Sequence, residues 1–133
     1  MLATFETDAG DLIVRARNSL PSADARAKYQ HLISIRWPYE PAPGCNVPTA
    51  ATEEMMDELA EALDVLANAE GSAEAASITG LGVREWRFYT DDTEHFMAEF
   101  NRALADRDPF PIELEAFVDP EWNGLAEFLP TKN

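Results

Sequence analysis

Two stretches with helical periodicity stand among stretches that read as strands, and their order restricts the topology more than any other feature of this chain. In the first, Thr49 to Glu70, an apolar stripe of Met55, Leu59, Ala62 and Leu66 is flanked by Met56 and Leu63, and Gly71 stands where a C-terminal cap belongs. In the second, Asp91 to Ala105, the stripe is Phe96, Met97, Phe100 and Leu104, with Asp91 and Glu94 at capping-box spacing. Strands are predicted over 29–37, 73–79, 83–90 and 110–118, the middle two joined by a Gly80–Gly82 turn.

The resulting order, β-α-β-β-α-β, is that of two crossovers joined by a hairpin, the ferredoxin-like α+β sandwich. Right-handed crossovers place both helices on one face of an antiparallel sheet, with strand order 110–118, 29–37, 83–90, 74–79. An extra N-terminal hairpin is predicted from "LATFET" (2–7) and "DLIVRARN" (11–18) around Gly10, with a polar connection to residue 28. Its place in the sheet is left open. Four prolines, Pro38, Pro41, Pro43 and Pro48, make the stretch after the 29–37 strand a stiff, extended loop. A short helix is expected over 119–129, so residues 1–133 read as a single domain with its core at 29–118.

Composition matters mainly through charge. Twenty-five acidic residues against ten basic ones give a net charge of −15, which repels polyphosphates and argues against nucleic acid as a partner. The expected partner for this surface is a basic protein. No apolar run approaches the ~20 residues of a membrane span. The stretch "MLATFETDAGDLIV" has neither the basic nor the apolar region of a signal peptide, and Cys45 stands alone. A cytoplasmic location is the expectation.

Conventional catalytic patterns are missing from the sequence. His95 with Asp91 and Glu99 imitates a helical metal set but falls on the solvent side of its helix, and Cys45 has no cation nearby to activate it. Asp106 and Asp108 lack the other ligands of a calcium loop. No catalytic residue, metal or cofactor is assigned. The cluster "DPEW" reads as architecture: Asp119 as N-cap, Pro120 at the first helical position, Glu121 second, and Trp122 as an anchor.

Strand parity supplies the one candidate site. If Ile33, Ile35 and Trp37 face the helices, Leu32, Ser34 and Arg36 face away from them. The same parity gathers Arg87, Glu85 and Tyr89 from one neighbouring strand and Glu113, Glu115 and Phe117 from the other. These residues form either a ladder of opposite charges worth roughly 0.2–1 kcal/mol per pair, or a recognition face where an arginine fork takes a carboxylate. The reading is a non-enzymatic binding or regulatory module acting through protein contacts, as monomer or homodimer. The alternative is a small ligand-binding or hydrolase-like enzyme using this face or the proline loop.

The motifs "GVREWRFYTDD", "FNRAL", "PIELEAFVDPEW" and "LAEFL" resemble a bacterial family known only as a domain of unknown function, number 695 in its series. The likeness covers roughly residues 29–129, and it implies a fold and no catalytic residue. More distantly, the layout is similar to a small acidic inhibitor of the bacterial RNA-degrading endonuclease E, an analogy of fold and charge that transfers no function.

Overall fold

The computed structural model describes residues 2–7, 10–16, 20–41, 48–67, 71–80, 82–107 and 110–127. Its elements are β1 (Leu2–Thr7), β2 (Gly10–Ala16), α1 (Ala23–Lys28), β3 (His31–Pro38), α2 (Ala50–Ala67), β4 (Ser72–Gly80), β5 (Val83–Thr90), α3 (Thr93–Leu104), β6 (Glu113–Val118) and α4 (Asn123–Ala126). The fold is α+β, a single antiparallel sheet of six strands in the order β1-β2-β4-β5-β3-β6. Arg17, the loop around Cys45, Glu70, Asp108 and the residues from Phe128 onward lie outside the described residues.

β3 pairs on one side with β5 (Leu32↔Tyr89, Ser34↔Arg87, Arg36↔Glu85) and on the other with β6 (Leu32↔Phe117, Ser34↔Glu115, Arg36↔Glu113). Directly opposed residues share a face, so the parity argument holds along all three strands. Ile33, Ile35 and Trp37 from β3, with Trp86 and Phe88 from β5, pack beneath Met56, Leu59, Leu63 and Leu66 of α2 and Phe96 and Phe100 of α3. Phe96 reaches Phe88 with ring centroids 5.6 Å apart. Within the α2 stripe Met56 takes the buried place expected of Met55, which is 45% exposed. Leu59, Ala62 and Leu66 are buried as expected, and the flanking Met56 and Leu63 complete the stripe.

β4 and β5 turn around Gly80 and Gly82, whose φ angles of 149° and 82° lie in the region that favours glycine. The N-terminal hairpin, unplaced by sequence, extends the sheet beyond β4 through antiparallel pairing of β2 (Val14↔Ile78, Ala16↔Ala76). At the other margin β6 starts at Glu113, and Val118 is 72% exposed on the helix side, where an inward position was expected. Leu114 of this strand is partly buried against the first core, but the burial does not extend to Val118 at its end.

The second face departs furthest from the sequence reading. It is not open along its whole width, because Val14, Ala16, Leu32, Ala75, Ala76, Ile78, Tyr89, Trp122 and Leu125 form a second core, with Leu20 and Tyr29 packed against it. A bulge between Glu74 and Ala76 helps, bringing the adjacent Ala75 and Ala76 into one cluster. Small side chains there leave room for the ring of Trp122, which stacks on Tyr89 at 3.9 Å and 7°. Its Nε1 donates to the Tyr29 carbonyl at 2.9 Å.

Two helix starts need correcting. α3 is capped by Asp92, not Asp91; the Asp92 carboxylate accepts from the Glu94 and His95 amides at 3.0 and 3.2 Å. The terminal helix starts at Asn123, not at Pro120, because Trp122 adopts a left-handed backbone (φ 58°, ψ 42°) that interrupts any helix begun at Asp119. Burial of the indole outweighs that local cost. Replacing Trp122, 1% exposed, by Ala is expected to cost about 3–5 kcal/mol. Thermal unfolding checks this, and a loss under about 1 kcal/mol would show that the ring anchors nothing.

Candidate functional site

Where the second core ends, the face of β3, β5 and β6 sinks into a groove of about 560 Å³. Arg36, Glu85, Arg87, Glu115 and Phe117 line it together with Ser34, Asp119 and Glu127. Of the residues that parity assembled, Tyr89 is buried within the second core, and Glu113 lies outside the lining but beside Arg36 in register.

The groove's inner wall is the segment from Asp119 to Glu127. The Asp119 carboxylate accepts from Tyr89 Oη at 2.6 Å and from the Asn123 and Gly124 amides at 3.0 and 2.9 Å. Asp119 therefore does serve the helix start, from outside it, through a turn in which the Trp122 amide bonds back to the Asp119 carbonyl at 3.1 Å. Tyr89 Oη is also an acceptor for the Gly124 amide at 3.1 Å. Gly124 is held so close that a β-carbon there would stand 2.7 Å from Tyr89 Oη and 3.0 Å from Leu32 Cδ2. Burial pushes the Tyr89 phenol well above its usual range, and its bond to the Asp119 carboxylate adds to this. Burial alone would raise the Asp119 carboxyl too, but the bonds from Tyr89, Gly124 and Asn123 outweigh it and hold it below the ordinary value.

The two arginines of this face differ in character. Arg87 is tied into the chain: its guanidinium donates to the Gly124 carbonyl at 2.6 Å and pairs with Glu85 at 3.1 Å and Glu127 at 3.2 Å. Burial opposes its charge, but the two carboxylates prevail and its pKa is raised. Glu85 also accepts a short hydrogen bond from Ser34 Oγ. With Glu85 drawn toward Ser34 and Arg87, its register partner Arg36 is exposed and makes no ion pair among the described residues. The expected ladder is thus broken at Arg36. His95 is exposed, and no group of three or more potential metal ligands occurs among the described residues.

Parity placed Ser34 on this face without assigning it to the site, and Gly124 and Glu127 were missed by the sequence reading. The latter two depend on a tertiary docking that no local pattern encodes.

A family of unknown function, DUF695, matches residues 3–130. The chain belongs to this family. The match runs past 29–129 to take in the hairpin of β1 and β2 as well. Comparison with curated proteins and with solved structures gives no match.

The lowered pKa of Asp119 generates a pH-dependence. Unfolded, the carboxyl titrates near ~3.9, so ionised Asp119 stabilises the fold above that pH, and the contribution is lost as pH falls through the lower folded value. Asp119→Asn is expected to lower the melting temperature clearly at pH 6, with the gap from wild type closing toward pH 2. A gap independent of pH would contradict the assignment.

Proposed function

We propose that this member of the family is a non-enzymatic binding module, working in the bacterial cytoplasm on a ferredoxin-like core, that captures an extended, basic segment of a protein partner along β6. The observation that carries the proposal is the outer edge of β6. This strand pairs with β3 and with no other strand among the described residues, and Phe117 is 47% exposed beside the groove. An unpaired edge offers a row of backbone donors and acceptors to an added strand, while alternate side chains give specificity.

The rows across the sheet define that specificity. A strand added outside β6 places alternate side chains beside Glu113, Glu115 and Phe117, the three that share the groove face. Cross-strand complementarity favours a basic residue at the first two positions and an apolar one at the third. The net charge of −15 acts in the same direction, drawing basic segments toward the surface. Arg36 adds an uncommitted guanidinium fork at the groove, suited to a carboxylate on the same segment. The groove is broad and open, a form that accommodates a chain segment better than an enclosed small substrate.

Affinity capture with mass spectrometry tests this. Wild type is expected to retain a partner that is lost with the double variant Glu113→Lys, Glu115→Lys and with Phe117→Asp, and weakened with Arg36→Gln. All four positions are exposed, so the fold should survive. Rising salt should release the partner, since exposed charges are screened over about 8–10 Å at physiological strength. A partner captured equally by every variant would remove β6 from the binding surface. Arg87 is excluded from the test because Arg87→Glu would place a carboxylate between Glu85 and Glu127 and disturb the fold.

A further inference from the structure

On the opposite face, at the β2-β4-β5 end of the sheet, a separate cavity of about 360 Å³ holds two more arginines, Arg15 and Arg84. Register explains how they meet. Ile13, Thr79 and Arg84 form one cross-strand row, and Arg15, Ser77 and Trp86 the next, so all six share the face that carries Trp86 and α2. Ser77 and Thr79 line the cavity floor between the arginines, and Pro48 and Glu53 approach from the start of α2.

Arg84 differs from Arg87 although both stand on β5. Its guanidinium lies 4.7 Å over the Trp86 ring, which fixes its plane. Among the described residues it forms no ion pair, where Arg87 forms two, and its Nε, like that of Arg87, is buried with no hydrogen-bond partner. A buried donor of this kind is ordinarily satisfied in a native protein. Burial lowers the Arg84 pKa; Asp57 and Glu53 oppose that drop from a distance, Arg15 reinforces it, and Glu74 opposes it. The carboxylates thus support the charge without occupying the fork.

We propose that this cavity binds a small monocarboxylate with a short apolar body, its carboxylate held between Arg84 and Arg15 and by the Ser77 and Thr79 hydroxyls, its body against Ile13 and Pro48. A planar fork immobilised on an aromatic ring matches the two oxygens of a carboxylate. The volume lies at the small end of ligand sites. Glu53 on the wall and the net charge of −15 penalise a dianion more than a monoanion, so inorganic phosphate is the disfavoured competitor.

Titration of the arginine Nε–Hε and backbone amide NMR signals at constant ionic strength tests this with sodium butyrate, inorganic phosphate and sodium chloride as probes. Butyrate is expected to shift the Arg84 Nε–Hε signal and the Ser77 and Thr79 amides along saturable curves, with phosphate at least several-fold weaker and chloride without saturation. Arg84→Lys, which keeps the charge but not the fork, should remove the saturable response, and Arg15→Gln, at an exposed position, should weaken it while leaving the remaining spectrum in place. A butyrate response that never saturates, phosphate binding as tightly as butyrate, or an unchanged response in both variants would overturn the site.

Discussion

The parallel contact of Trp122 with Tyr89 is the joint on which the second face depends. It brings the chain after β6 back onto the sheet, and only in that position do Asp119, Tyr89 and Gly124 come within bonding distance of one another. The same docking supplies the Gly124 carbonyl and Glu127 to Arg87. Arg87 in turn holds Glu85, and Glu85 so held is withdrawn from Arg36. One aromatic stack is thereby linked to the availability of a guanidinium two same-face cross-strand rows away. Without it Glu85 would be free to neutralise Arg36, and the groove would lose both a wall and a charge.

Much of the sheet was legible because alternation is a local property. Ile33, Ile35 and Trp37 opposite Leu32, Ser34 and Arg36 needed only the pleat, and the pairing with β5 and β6 followed from the order of elements. What could not be read depended on contacts distant in sequence. The small residues Ala75 and Ala76 carry no sign that they form the floor of a second core. Asp119 and Pro120 have the composition of a helix start, yet the helix waits for Asn123 because the indole takes the backbone elsewhere. Val118 has the alternation of a core residue and is exposed, since burial also requires something on the other side. In the groove, parity reached the strand residues Arg36, Glu85, Arg87, Glu115 and Phe117, while Gly124, Glu127 and the allocation of partners depended on the docked terminal segment.

Arg36, Arg84 and Arg87 look alike in the sequence, and the fold gives each a different environment. Arg87 is surrounded by acceptors and serves the architecture. Arg84, three residues earlier and therefore on the opposite face, is pressed against an indole and forms no ion pair among the described residues. Arg36 faces solvent after losing its register partner to a neighbour. What differs among the three is the number of acceptors each guanidinium already has among the described residues.

The central position of β3 bears on how the chain acquires its structure. Both neighbours of β3 come later in sequence, the first beginning at Val83 and the second at Glu113. During synthesis Ile33, Ile35 and Trp37 thus remain without a ladder while β4 and β5 close locally around their glycine turn. β3 then joins β5 at the cost of a long loop closure, and β6 joins last, across the longest separation of any pairing in the sheet. A strand added across so long a separation and held on one side only has less to keep it closed than the β3-β5 ladder it rests on. The margin of the sheet facing the groove is therefore expected to open more readily than the sheet centre.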